Sequence, residues 1–161
     1  MDLSIRLRQH YRVECVRSGK VMWAEEFDNL VTAAGRNKYL DATLRTGQST
    51  PSWYVFLKGT GTVVAADTMA SHSGWSEDTN YSNASRPAWT GGTVANGSVD
   101  NSASPASFTM NGTTTIYGAG LVDNATRGGT AGTLLGANDF SASRSVIGGD
   151  TLNVTVTCSL T

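Results

Sequence analysis

Cysteine, histidine and charge are all scarce in this chain. Its 161 residues hold two cysteines, Cys15 and Cys158, too few for a disulfide-stapled framework and at a separation that fits no zinc or CxxC pattern. Each stands in an alternating segment on the side taken by Val and Leu. Both are therefore expected as buried reduced thiols, with a bridge between the terminal strands as the alternative. The two histidines, His10 and His72, have no second strong ligand two to four positions away other than Glu14. That leaves no metal-ligand set, and no motif asks for a cofactor.

Charged side chains make up 16% of the chain, against about 25% in ordinary soluble domains. Nine of the twelve Lys and Arg fall in residues 1–58 with six acids, and lysine stops at Lys58. Residues 59–161 carry Arg86, Arg127 and Arg144 against seven acids. With a formal net charge of −1 there is no basic field for nucleic acid. No apolar run approaches the ~20 residues of a membrane span. The opening MDLSIRLRQH lacks the apolar segment of a signal peptide. The expectation is a protein without membrane or nucleic-acid partners, made in the cytoplasm and working there or in a particle assembled there.

Gly, Ser, Thr, Ala and Asn fill the space that charge leaves. Such a surface is weakly protected against association and suits close contact with other protein. The length fits one domain, and no repeat or internal boundary is visible. Leu3, Ile5 and Leu7 alternate with Ser4, Arg6 and Arg8, which predicts a strand-like arm over residues 1–9 with one oily and one basic edge, an ordinary edge strand of the same domain being the alternative. Residues 10–161 read as a single antiparallel β-sandwich domain.

Within that domain, HYRVECV-RSGK-VMWAEEF predicts a hairpin around Ser18-Gly19. A three-residue loop, Ser18 to Lys20, would gather Tyr11, Val13, Cys15, Val21, Trp23 and Phe27 on one face and is preferred to the alternative, a two-residue loop, which would separate Trp23 from that set. Ala33 to Leu44 is the best helix, with Thr32 as N-cap, Gly47 beyond its end, and Tyr39, Leu40 and Leu44 as a short apolar stripe. SWYVFL, residues 52–57, is apolar on both faces and predicts a central strand. Asn111-Gly112 signals a type I′ hairpin that would set Phe108 and Met110 beside Tyr117, Ala119 and Leu121. In DTLNVTVTCSLT, Leu152, Val154, Val156, Cys158 and Leu160 alternate with Asn153, Thr155, Thr157 and Ser159, the pattern of a strand with one buried face. Many short strands and one helix make the fold mainly β.

DTMASHSGWSED, residues 67–78, is the stretch that most resembles an active site. Ser71 and Ser73 adjoin His72, but neighbours on a strand point to opposite faces, and there is no GxSxG elbow. Asp67 as a helix cap followed by one short turn, Thr68-Met69-Ala70, that delivers Trp75 into the core explains the same residues. Neither Glu25-Glu26 nor Glu77-Asp78 makes an obvious glycosidase dyad, so no catalytic residue is assigned. Trp89, in an irregular segment, is the natural stacking candidate for a sugar.

Several phrases belong together: EEFDNLVTAAGRNKYLDATL, SWYVFLKG, AADTMASHSGWSED, YSNASRPAW, VDNSASPASFTM and GTLLGANDFSASRSVIGGDTLNVTVT. In this order they resemble small virion structural proteins of tailed bacteriophages, over roughly residues 11 to 157. The resemblance implies a β-rich, non-enzymatic, oligomeric protein of the virion. Its place would be the capsid surface, as a decoration or cement protein, or the tail or neck. The partners expected are the major capsid protein and further copies of the chain, as a homotrimer or homodimer. A carbohydrate-binding receptor module is the reading from another class. Leu3, Ile5, Arg6, Leu7 and Arg8 are the candidate contact residues, followed by the loops around Asn83–Trp89 and Arg127–Thr130.

Overall fold

The computed structural model describes residues 4–161, so Leu3 lies outside the described residues. These form eleven strands and one α-helix: β1 (Leu7–Arg17), β2 (Lys20–Asp28), β3 (Leu30–Val31), α1 (Ala33–Leu44), β4 (Trp53–Gly61), β5 (Trp75–Asp78), β6 (Ala88–Trp89), β7 (Ser98–Asp100), β8 (Ala106–Thr109), β9 (Thr114–Val122), β10 (Leu134–Val146) and β11 (Thr151–Leu160). Two antiparallel sheets pack as a sandwich. One runs β2-β1-β11-β7 with β8 also on β11, and the other runs β3-β10-β9-β4-β5 with β6 also on β4.

The two long terminal strands lie side by side, from Leu7 opposite Leu160 to Val16 opposite Thr151. Their alternation decides the core. Tyr11, Val13 and Cys15 on β1 and Leu152, Val154 and Val156 on β11 pack against Val55, Leu57, Ala119 and Leu121 of the facing sheet. β4 is buried on both faces, as its double-sided apolar sequence predicts. Its other face, through Phe56, joins a second apolar cluster with Val63, Met69, Trp75 and Leu134. Cys15 lies opposite Leu152 and Cys158 opposite Gln9. Six residues of ladder, about 20 Å, separate the thiols, and both are free. Burial raises both thiol pKa values, Cys15 to about 11 and Cys158 to about 12.

Two local readings are corrected. The first hairpin turns on two residues, Ser18 and Gly19, both at positive φ, the type I′ geometry that matches strand twist. A bulge between Cys15 and Val16 then shifts the register, so that Cys15 meets Trp23 while Val16 meets Val21. The bulge returns Trp23 and Phe27 to the core face and leaves Val21 exposed. Asn111-Gly112 is not a hairpin. Neither residue has positive φ, and β8 pairs with β11 while β9 pairs with β4 and β10. The dipeptide carries the chain from one sheet to the other, and Phe108 and Met110 reach Ala119 and Leu121 across the sandwich. Ile116 is buried on β9 and Tyr117 only half-buried.

The gap on β11 between β7 and β8 is filled by a side chain. Asn101 donates from Nδ2 to the Val154 carbonyl at 3.1 Å and accepts the Val156 amide on Oδ1 at 2.7 Å, which satisfies backbone groups that would otherwise be buried alone. At the far end of the same strand pair, Arg17 donates to Asp150 from Nε and Nη2 at 2.7 and 2.8 Å. The Asp150 side chain is fully buried. These bonds from Arg17, helped by the Ile147 amide and opposed by burial, lower the Asp150 pKa from 3.8 to about 2. A depressed carboxylate stabilises the fold above its unfolded pKa, and the contribution disappears as pH falls through the folded value. Denaturant midpoints measured from pH 5 to pH 2 should therefore fall most steeply below pH 4. Asp150→Asn should flatten that part of the profile while lowering the midpoint at pH 7.

Candidate functional site

From Arg6 onward the arm is part of a sheet. The Arg6 amide donates to the Thr161 carbonyl at 2.7 Å, and the Thr161 amide donates back to Arg6 at 3.0 Å. Leu7 packs against the main core, and Gln9 is fully buried. The division expected at residue 9 is thus corrected. The ladder starts at Arg6, and the core includes Gln9 rather than beginning at Tyr11. Ile5, 79% exposed, stands beyond it.

The helix supplies the other wall. Thr32 caps α1 as its sequence predicts, accepting the Gly35 amide on its side-chain oxygen at 3.0 Å. Gly35 is the buried residue of the helix. It sits against the β10 backbone so closely that a Cβ there would fall 2.7 Å from Leu135 Cα. The apolar stripe points elsewhere. Leu40 is 52% exposed and Leu44 78%, although their types and spacing are those of a core-facing helix.

Stripe and arm meet. Ile5, Leu7, Tyr39, Leu40, Leu44 and Leu160 line an open cleft of about 460 Å³. A smaller hollow of about 220 Å³ continues past Leu7, Tyr39 and Leu160 to Val94 and Val99. On the other side of Leu7 a third hollow, about 500 Å³, runs along residues 5–9 toward Asn29 and Arg36. Ile5, Leu40, Leu44, Val94 and Leu160 account for five of the exposed large apolar residues, and together they edge this one region. A clustered apolar patch marks a contact surface, whereas scattered exposed leucines do not.

The rim is basic. Among the described residues, Arg6, Arg8 and Arg36 line the third hollow with one acid, Asp28. Arg8 Nη2 lies 3.0 Å from Asp28 Oδ2, and His10 Nδ1 lies 2.9 Å from Oδ1. The bond to His10, then that to Arg8, lowers the Asp28 pKa against the opposing effect of burial.

The structure therefore places Ile5 and Leu7 in the cleft with Tyr39, Leu40, Leu44 and Leu160, and Arg6 and Arg8 with the same two residues along the adjoining hollow. The two loops proposed as secondary contacts are instead tied to each other. Arg86 is 1% exposed and donates to Glu77 at 3.0 and 2.6 Å and to the carbonyls of Asn124 and Gly129. Arg127 donates to the Tyr81 and Asn83 carbonyls and lies over the Tyr81 ring. Trp89 is no open platform: its indole donates to the Val156 carbonyl at 3.0 Å, and its ring packs on the main core.

In the 67–78 stretch, Asp67 Oδ2 accepts the Trp75 indole N–H at 3.0 Å and the Val64 amide at 2.8 Å. His72 stacks on Trp75 with ring centroids 4.2 Å apart, and its Nδ1 lies 3.1 Å from the Thr68 carbonyl. These polar groups hold Trp75 against Phe56. The turn is bridged between Thr68 and Ser71 rather than helical. Among the described residues no helix is long and apolar enough to cross a membrane. No protein-family model matches the chain, and no curated protein matches it.

Proposed function

We propose that this chain is a structural protein of a tailed-phage virion, one that decorates and stabilises the capsid by binding the major capsid protein as a symmetric oligomer, a homotrimer or homodimer. The observation that carries the reading is the apolar cleft shared by Ile5, Leu7, Tyr39, Leu40, Leu44 and Leu160. A helix face left uncovered beside an exposed sheet end is a surface made to be buried by something else. Recognition of a repeated lattice site needs area and shape, and few charged groups here have to be desolvated. The covered indole of Trp89 favours this reading over a sugar-binding module.

The test is attachment. Leu40 and Leu44 are exposed, so the double variant L40D/L44D should fold with an unchanged melting temperature. It should lose at least about tenfold in affinity for shells of the major capsid protein, as expected when central apolar contacts are removed. Sedimentation of shells with and without the variant reads this directly. Equal binding of the native and variant chains would overturn the reading. Copy number in the particle separates the capsid from the neck: decoration requires copies in proportion to capsid subunits, a neck part a single ring.

A further inference from the structure

The hollow beside residues 5–9 is bounded by the edge of a β-strand, and the ladder shows which way that edge faces. In antiparallel pairs, hydrogen-bonded and non-bonded residue pairs alternate. Arg6 and Thr161 exchange both bonds. The next pair, Leu7 and Leu160, is then a non-bonded one, and the Leu160 amide indeed turns away to the Gly97 carbonyl at 2.9 Å. The N–H and C=O of Leu7 therefore point away from β11, and those of Ile5 follow by the same alternation.

On that side β2 stops at Asp28, opposite His10. The Asn29 amide closes on the Gln9 carbonyl at 2.9 Å, and the chain then crosses to β10 as Leu30–Val31. No described strand pairs with Leu7 along this edge. The empty lane continues the line of β2 and coincides with the 500 Å³ hollow. At its inner end, Gln9 Nε2 and Asn29 Oδ1 are buried without a hydrogen-bond partner, although both residues line the hollow. A donor and an acceptor left together at the wall match the two polar groups of a peptide unit, and buried groups of this kind are rarely left unpaired.

We infer that this lane takes an extended strand of a partner protein, added to the Ile5–Arg8 edge of β1, with apolar residues alternating with acidic ones. The inference deepens the capsid reading and rests on it for the identity of the partner. Strand addition draws affinity from the main chain and specificity from alternate side chains. Ile5 and Leu7 line the apolar cleft under the helix, so alternate residues of the guest would meet Tyr39, Leu40 and Leu44. The intervening residues would lie beside Arg6 and Arg8, which with Arg36 outnumber Asp28 among the described residues that line the hollow. A second copy of this chain is a poor guest: its own Arg6 and Arg8 would face the same arginines, and like charges on paired strands repel.

The test uses the full chain and three short fluorescent peptides: Ile alternating with Glu, Ile alternating with Lys, and the Ile/Glu composition rearranged in blocks. Anisotropy should show binding of the first and little of the other two. L7P removes one outward N–H and leaves the β11 ladder its donors, a place where a strand edge tolerates proline. It should weaken the Ile/Glu peptide by about tenfold, with a lowered melting temperature because the Leu7 side chain also leaves the main core. R6E/R8E should reverse the preference toward the Lys peptide, and this variant carries the test should L7P fail to fold. The inference is overturned if the Ile/Glu peptide binds no better than the Lys or block peptide, or if R6E/R8E keeps the native preference. Shell binding that survives while the Ile/Glu peptide fails would sink strand addition and leave the capsid reading standing. Peptide binding without any affinity for shells would do the reverse.

Discussion

Arg86→Ala should destabilise the fold by about 3–5 kcal/mol, the range for removing one partner of a buried ion pair. The guanidinium is fully enclosed: Nε and Nη2 bond the Glu77 carboxylate, Nη1 reaches the Asn124 carbonyl, Nη2 also reaches that of Gly129, and Cζ lies 5.9 Å from the Phe56 ring centroid. Truncation leaves a carboxylate with a 6% exposed side chain without a counter-charge and orphans two backbone acceptors, so the loss exceeds that of a surface pair several-fold. For a domain of this length, thermal unfolding should move down by roughly 10 °C. Removing both charges with E77L/R86M should recover a large part of the loss, because no charge then remains buried alone. A double-mutant cycle by calorimetry measures both. A loss below about 1 kcal/mol for R86A would mean the pair is solvated and that the loops it joins are held by other contacts.

Arg86 also marks the limit of what the sequence makes legible. It stands in an irregular Gly/Ser/Asn-rich stretch with no periodicity, and its partners lie nine residues before it and 38 and 43 after it. No local pattern announces such a pairing. Where the determinants are local, sequence and structure agree. The Thr32 cap bonds a neighbour three residues away, and α1 runs over the residues its propensities select. The alternation of β11 is a property of its own ten residues. Asn111-Gly112 was misread for the opposite reason. Its turn preference is genuine, but a hairpin needs its flanking strands to pair, and here β8 pairs with β11 while β9 pairs with β4 and β10. The bulge at Cys15/Val16 decides where Val21 and Trp23 point, and nothing in the residues at that position requires it.

The candidate site was half legible. Alternation in residues 3–8 singled out Ile5, Arg6, Leu7 and Arg8, and periodicity found the stripe Tyr39, Leu40, Leu44. Periodicity says that a face exists, not what covers it. That the stripe lies beside Ile5 and Leu160, and not beneath a sheet, follows from the contact between Gly35 and Leu135.

That contact makes Gly35→Ala the second large expected effect. In an exposed helix the change stabilises by about 1 kcal/mol; here the sign should reverse. The added Cβ would fall 2.7 Å from Leu135 Cα and 2.8 Å from its carbonyl carbon. Both are β10 backbone and cannot rotate aside. Two further bonds hold the same junction, from the Thr32 hydroxyl to the Leu134 carbonyl at 2.5 Å and from the Thr32 amide to the Leu135 carbonyl at 3.1 Å. The helix must therefore lift from β10 or push the strand, at about 1–3 kcal/mol. Lifting is the easier course, because Gly35 is the one buried residue of α1. Amides of residues 33–44 should then exchange with deuterium much faster, while those of β1 and β11 keep their protection. The cleft would lose its helical wall with every one of its apolar side chains still present, so affinity for capsid shells should fall as far as in L40D/L44D. Asn37→Ala, at an exposed position of the same helix, provides the control and should slow exchange slightly. If G35A matches it in exchange and in shell binding, the seat of α1 on β10 does not build the docking face.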